Sequence, residues 1–235
     1  MNQSYFFPYI GYFQLIHAVD KFILYDHLTY IKGGWIQRNR IGQPNNTACF
    51  ITIPLQKRSP HKLISELSIS RAYDWQTKII TQLKNTYSRS SFFKETFPLI
   101  EDLIMKDFRY ITDFNCYSIK AIAQLLDIQT TIVQGASIEE ELKNVSWPYQ
   151  TKTQRILLAC QQEKADTFVN AIGGKTLYSK EEFQEQGINL FFIQTEKQIQ
   201  VGEWVKPMPD LSIIDVLFHY GINGTKDLLR AYQLI

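Results

Sequence analysis

The sequence predicts an α/β fold with a largely parallel, Rossmann-like sheet and a helical insertion around residues 73–126. Short apolar or β-branched runs alternate with helix-period stretches outside the insertion, which is typical of parallel sheets. Inside the insertion, apolar residues recur three or four positions apart, which indicates consecutive amphipathic helices. No internal repeat, low-complexity tract or linker divides the chain, so residues 1–235 are predicted to form a single domain.

The elements before the insertion are short. Residues 3–7 are predicted to be the tail of a strand, and a turn with proline and glycine leads into a helix over about 9–17. Residues 22–25 form an apolar run bounded by charge, which predicts a buried strand. A further strand is predicted over residues 50–54, where it ends in proline.

Strands and helices alternate again after the insertion. Ser212 has the side chain of a helix N-cap and precedes apolar residues at helical spacing, so a final helix is predicted there. The other predicted elements are a strand at 130–133, a helix at 155–162, a strand at 167–169, a helix at 181–186 and a strand at 190–194.

Composition excludes several classes of protein. The net charge is +2, from 25 basic and 23 acidic residues, whereas nucleic-acid binders usually carry a basic excess on one face. No apolar run reaches the roughly 18 residues that a bilayer span needs, and the N-terminus is aromatic rather than signal-like. We therefore expect a cytoplasmic protein with no nucleic-acid partner and no membrane insertion.

The three cysteines, Cys49, Cys116 and Cys160, are far apart and form no CxxC or CxH pair. That spacing argues against structural disulfides and against a zinc site. The sequence predicts no metal site.

The first 41 residues contain the most informative pattern. Aromatic residues crowd positions 5–13, and Lys32, Arg38 and Arg40 follow closely, with Trp35 between them. Guanidinium groups bind phosphate oxygens through paired hydrogen bonds, and an indole can stack on a base or a sugar ring. This combination predicts a site for a ligand with rings and negative charge.

The same segment resembles the opening of the WbqC-like family of bacterial surface-polysaccharide proteins. The shared motifs are Phe-Pro-Tyr-Ile-Gly-Tyr-Phe at 7–13 and Lys-x-x-Trp-x-x-Arg-Asn-Arg-Ile at 32–41. Later blocks match at 155–156, 170–174, 177–178, 187–188 and 211–217. The chain departs from the family pattern at Ser4, where proline is usual, at His27, where a second aspartate is usual, and at Gln37, where asparagine is usual.

The resemblance implies a role in O-antigen or related surface-glycan biosynthesis. The implied activity is an acyl- or aminoacyl-transferase that acts on the amine of a nucleotide-linked amino sugar. Such an enzyme needs an acyl donor, for example a coenzyme A thioester or an acyl-carrier protein, although no motif for either is present. Two alternatives stay open: a degenerate nucleotidylyltransferase-like enzyme and a non-catalytic module that binds sugar nucleotides.

The candidate catalytic residues are Asp26 and His27, which follow a predicted buried strand. A carboxylate or an imidazole there can accept a proton from an amine nucleophile. Neighbouring residues of a strand point to opposite faces, so only one of the two is expected to face the cleft. Asp26 is favoured because it matches the family.

The remaining candidates are predicted to bind the ligand. The turn before the first helix weakly resembles nucleotidylyltransferases, with tyrosines where those enzymes have histidines, so adenylyl-type chemistry is not expected. In a single α/β domain, separate blocks would converge on one cleft at the carboxyl edge of the sheet. The predicted binding residues are Tyr9, Gly11, Tyr12, Lys32, Trp35, Arg38, Asn39, Arg40, Arg155, Asn170, Gly173 and Gly174.

Overall fold

A computed structural model describes residues 1–43, 47–135, 152–196 and 210–235. The described residues combine helices with small sheets, which confirms the α/β class. The helices are α1 (Ile10–His17), α2 (Trp75–Tyr87), α3 (Phe93–Met105), α4 (Ile111–Leu125), α5 (Lys152–Gln162), α6 (Lys180–Gln184) and α7 (Ile213–Leu228).

The strands in the described ranges are β1 (Lys21–Leu24), β2 (Arg38–Gln43), β3 (Thr47–Thr52), β4 (Thr131–Gln134), β5 (Thr167–Ala171), β6 (Asn189–Thr195) and β7 (Tyr232–Leu234). Parallel pairing among them involves few strands. Two pairs, β1–β4 and β5–β6, are parallel, and Asn2 adds a single parallel bridge to Leu24. The pairs β2–β3 and β6–β7 are antiparallel. A Rossmann-like sheet therefore stays a prediction.

The predicted helical insertion corresponds to α2, α3 and α4. Each of these helices buries one apolar face, and Asp74 caps α2 by accepting the Thr77 N–H at 3.0 Å. The predicted cap of the last helix is also present, because Ser212 Oγ accepts the Ile214 N–H at 3.3 Å.

Helix α1 lies at the centre of the molecule. Every residue from Ile10 to Ile16 is buried, and the helix packs against β5, β6 and α7. The main hydrophobic core extends along the sequence from Phe6 to Leu229, so the first and last elements share one interior. A smaller core lies between α5, α6 and the β5–β6 pair.

The predicted strand at residues 3–7 is not formed. The segment is anchored by one bridge at Asn2, and Phe7 adopts a positive φ of 41° that no strand contains. The side chains of Asn39, Asn115 and Ser212 donate hydrogen bonds to backbone carbonyls of this segment. Those carbonyls therefore do not pair with a neighbouring strand. That arrangement positions the candidate site.

Candidate functional site

The N-terminal segment, residues 4–8, connects the elements that carry the predicted site. At one end the Ser4 N–H donates to Asp26 Oδ1 at 2.9 Å. Two residues later the Phe6 N–H donates to the Trp35 carbonyl at 3.0 Å. Asp26 and Trp35 are therefore fixed to positions two residues apart on one short segment.

An aromatic–cation surface, formed by Trp35, Arg38, Arg40 and Phe50, lies on one face of the β2–β3 hairpin. Side chains alternate along a strand, so Arg38 and Arg40 share a face while Asn39 is buried beneath. Phe50 is the cross-strand partner of Arg40 and is 46% exposed. The register of the hairpin therefore places an aromatic ring among the cations.

The rings and guanidinium groups of this surface are in contact. The Trp35 and Phe50 rings are stacked, with centroids 6.5 Å apart and an angle of 29° between their planes. Arg38 Cζ lies 4.4 Å from the Phe50 centroid, and Arg40 Cζ lies 5.5 Å from that of Trp35. Such cation–π contacts contribute about 0.5–1 kcal/mol each at exposed sites and hold the guanidinium groups beside the rings.

The orientation of Arg38 is also fixed by the preceding loop. Its Nη2 donates to the Gly33 carbonyl at 2.5 Å, and Gly33 has a positive φ of 86° that favours glycine. Lys32, one residue earlier, is exposed. The cationic part of the predicted site is thus presented on the outer side of the hairpin and its loop.

The Asp26 cluster, formed by Ser4, Tyr5, Tyr12 and Asp26, is more enclosed. Asp26 is 7% exposed, and burial raises the pKa of its carboxyl, while hydrogen bonding from Ser4 and the charge of His27 partly offset that rise. The Tyr5 and Tyr12 rings lie 5.6 Å apart. A carboxyl with a raised pKa is a better proton acceptor once ionised, so its chemistry suits a general base.

Tyr12 is oriented by its hydroxyl, which donates to the Gln3 carbonyl at 2.7 Å. Burial, and next the nearby Asp26 carboxylate, raise the pKa of this phenol well above its ordinary value. Tyr12 is therefore a neutral wall of the Asp26 cluster at physiological pH, and it contributes an apolar ring rather than a charge.

Arg155 lies against the residue that precedes Asp26. Its Cζ is 5.9 Å from the centroid of the Tyr25 ring, and the centroid of the His27 ring is 6.1 Å from that of Tyr25. Helix α5, more than a hundred residues later in the chain, thus supplies a cation beside Tyr25.

Tyr9 and Gly11 lie at the start of α1. Burial, and next the charge of Asp210, raise the pKa of Tyr9 to about 12. A Cβ on Gly11 would lie 2.5 Å from the Tyr9 ring and 2.9 Å from Thr195 Oγ1. Gly11 is needed for this close approach of α1 to the end of β6.

Asn170, Gly173 and Gly174 form a turn at the carboxyl end of β5. Asn170 Oδ1 accepts the Ala171 N–H at 2.8 Å, and a Cβ on Gly174 would lie 2.6 Å from Asn170 Nδ2. The Gly174 carbonyl accepts the Leu177 N–H at 2.8 Å, which closes the turn locally. Its role in ligand binding stays a prediction.

Asn39 has a structural role that its sequence position does not indicate. The side chain is 3% exposed, and Nδ2 donates to the carbonyls of Phe6 at 3.0 Å and Phe7 at 2.7 Å. Its Oδ1 accepts the Arg40 N–H at 2.8 Å. These bonds hold the N-terminal segment against the hairpin.

Sequence reasoning missed two residues of this region, Ser4 and Phe50. Ser4 acts through a backbone N–H, for which a sequence carries no signature. Phe50 could have been found, because alternation along its strand puts Phe50 outside while Ile51 is buried. Pairing it with Arg40 required the hairpin register.

Other features lie away from this site. A cavity of about 370 Å³ is lined by residues at the beginnings of β1 and β5 and by α5, including Lys21, Glu163 and Phe168. Within the described ranges, no three His, Cys, Asp or Glu side chains are close enough together to hold a metal ion. None of the helices in those ranges combines the length and the apolar character needed to cross a lipid bilayer.

Comparison with known proteins assigns the family. A profile of the WbqC-like protein family matches residues 3–227. The chain belongs to the WbqC-like family. The WbqC-like chain is also 29% identical over 234 residues to the uncharacterized protein Rv1507c of Mycobacterium tuberculosis (strain ATCC 25618 / H37Rv). That match covers 97% of the chain and 95% of the relative. No solved structure is significantly similar to the WbqC-like chain.

Proposed function

We propose that this protein is a cytoplasmic acyl- or aminoacyl-transferase that acts on the amine of a nucleotide-linked amino sugar in O-antigen or related surface-glycan biosynthesis. The observation that carries the proposal is the aromatic–cation surface beside the Asp26 cluster. A stacked pair of rings suits a base or sugar, and two guanidinium groups suit a diphosphate.

In this proposal the ligand lies across the N-terminal segment. The diphosphate binds Arg38 and Arg40, and the sugar amine reaches Asp26, whose neighbour Tyr25 is in contact with Arg155. Asp26 accepts a proton from the ammonium group, and the free amine attacks the acyl carbonyl of a thioester donor. The amine nitrogen then loses a second proton to the departing sulfur, which leaves as a thiol, and an amide bond replaces the thioester bond.

We also infer a Rossmann-like organisation within a single domain. The parallel pairs β1–β4 and β5–β6 and the packing of α1 against β5 and β6 support this inference. In such folds ligands bind beyond the carboxyl ends of parallel strands, and Asp26 follows β1 at that end.

A non-catalytic sugar-nucleotide-binding module is the second candidate, favoured by the low exposure of Asp26. A degenerate nucleotidylyltransferase-like activity has less support. Tyr12 is one of the tyrosines that stand where those enzymes have histidines, and its hydroxyl is already bonded to the Gln3 carbonyl. Titration calorimetry separates binding from chemistry. We expect UDP-N-acetylglucosamine and UDP to bind, and inorganic pyrophosphate to bind more weakly because it has no ring to stack.

Turnover is tested with UDP-linked amino sugars and a panel of acyl-coenzyme A donors, with mass spectrometry of the product. N-acylated nucleotide sugar supports the transferase. Binding without a product for any donor, including acyl-carrier-protein thioesters, would favour the binding module. Absence of nucleotide-sugar binding would overturn both candidates.

A further inference from the structure

Two residues that the proposed chemistry does not use act on the Asp26 carboxylate, one through a hydrogen bond and one through its charge. The Ser4 N–H donates to Asp26 Oδ1 at 2.9 Å, and both residues are buried. His27 is the next residue along the chain and is half-buried, so its charge acts on Asp26 at short range. A backbone donor and a neighbouring cation both stabilise a carboxylate relative to a carboxylic acid.

The other groups that face Asp26 favour its protonated form. Tyr5 lies in the N-terminal segment, Tyr12 on α1 and Cys116 on α4, and burial raises the pKa of each of these groups while the charge of Asp26 raises it further. They are neutral at physiological pH and contribute mainly an apolar surrounding, which disfavours the ionised form of Asp26. Among the described neighbours, Ser4 and His27 supply the stabilisation.

We propose that Ser4 and His27 are positioning residues that keep Asp26 ionised and oriented for proton acceptance. The inference rests on the proposed role of Asp26 as the base. Ser4 fixes one carboxylate oxygen through its backbone N–H, which leaves the other oxygen for the substrate.

Ser4→Pro and Ser4→Ala form a matched pair of variants. Proline removes the backbone N–H donor, whereas alanine keeps that donor and removes only the hydroxyl. His27→Asn replaces a group that can carry positive charge with a neutral side chain. The Asp26 titration is followed in the full chain by carboxyl carbon NMR, with Asp26→Asn to assign the signal.

We expect Ser4→Pro and His27→Asn each to move the Asp26 titration upward, and Ser4→Pro to do so by roughly one pH unit, as for loss of a charged hydrogen bond. Ser4→Ala should move it less than Ser4→Pro. The acid limb of kcat/KM should follow the same order. An unchanged Asp26 titration in His27→Asn and in folded Ser4→Pro would overturn the inference.

The NMR readout separates this inference from the proposed function, because it needs no substrate. Shifted titrations together with full activity of Asp26→Asn would leave the positioning role intact and remove the base. If Ser4→Pro does not fold, His27→Asn against the parent protein decides the outcome. An upward shift of the Asp26 titration in His27→Asn supports the inference, and an unchanged titration overturns it.

Discussion

Single residues decide whether the aromatic–cation surface binds the ligand that we propose. Arg38 contacts the Phe50 ring and the Gly33 carbonyl on the outer face of the hairpin. Its guanidinium group still offers N–H donors to a phosphate, because the bond to the Gly33 carbonyl uses only one of its two terminal nitrogens.

Arg38→Ala should weaken binding of UDP-N-acetylglucosamine by about 1.5–3 kcal/mol, the value of a charged hydrogen bond, or roughly 10- to 150-fold in Kd. The melting temperature should change little. Arg230→Ala, at an exposed position beside His17, is the control and should leave Kd unchanged. Unchanged affinity with a large loss of stability would mean that Arg38 is structural.

Asp26→Asn keeps an oxygen that can accept the Ser4 N–H but removes the base. Turnover should therefore fall by about two to four orders of magnitude while nucleotide-sugar binding is retained. Steady-state kinetics and calorimetry on the same preparation measure both effects. Full activity of this variant would remove Asp26 from the mechanism and direct attention to His27.

At the scale of elements, the β2–β3 hairpin has an outer face that carries the proposed binding surface and an inner face that packs against the rest of the protein. The outer face carries the aromatic–cation surface, and the inner face carries Asn39 and Ile41. Because the Asn39 amide serves two buried carbonyls, the hairpin and the N-terminal segment form one structural unit.

Asn39→Ala should lower the free energy of unfolding by about 2–4 kcal/mol, because the buried Phe6 carbonyl loses its donor and the Phe7 carbonyl keeps only that of Ser212. Thr52→Ala, at an exposed position opposite Arg38 in the same hairpin, is the control and should change it by less than about 0.5 kcal/mol. Denaturant titration measures both. Unchanged stability with lost ligand affinity would instead support the binding role that the sequence predicted for Asn39.

The sequence predicted most elements to within a few residues, since their periodicity is local. Helices α2 to α4 fall inside the predicted insertion, and the Ser212 cap is in place. The strand β2 was not predicted, because alternating arginines and an asparagine have low strand propensity and pair only through β3. The grouping of Trp35 with Arg38 and Arg40 could be read from spacing, whereas the Ser4 contact depends on tertiary structure.

At the scale of the whole molecule, Asp215 is expected to make the stability of the fold depend on pH. It is 0% exposed at the start of α7, and its Oδ1 accepts the Gly42 N–H at 2.9 Å. Burial raises the pKa of this carboxyl to about 7, against the opposing effects of Tyr87 and Gly42. The folded protein therefore holds this proton more tightly than the unfolded chain does.

The consequence for stability follows from linkage. Between the unfolded pKa near 3.8 and the folded pKa of about 7, the native state binds more protons, so stability falls as pH rises through that window. Above it the loss from this group is constant, with an upper bound of roughly 4 kcal/mol. Asp215→Asn should remove that pH-dependent part.

Denaturant titrations of the parent protein and of Asp215→Asn from pH 4.5 to 8.5 test this prediction. Asp20→Asn, at an exposed position, is the control. The difference in unfolding free energy between Asp215→Asn and the parent should grow in favour of the variant as pH rises. Parallel curves would show that Asp215 does not titrate in this range.

The strained Phe7 has a consequence for the order in which the protein becomes active during translation. Its carbonyl is held by Ser212, 205 residues later, and the Pro8 carbonyl accepts the Ile213 N–H. Synthesis at about 5–20 residues per second separates the two by about 10–40 s. Until α7 leaves the ribosome, the opening aromatic residues lack these packing partners, so the nascent chain cannot yet form the binding site that we propose.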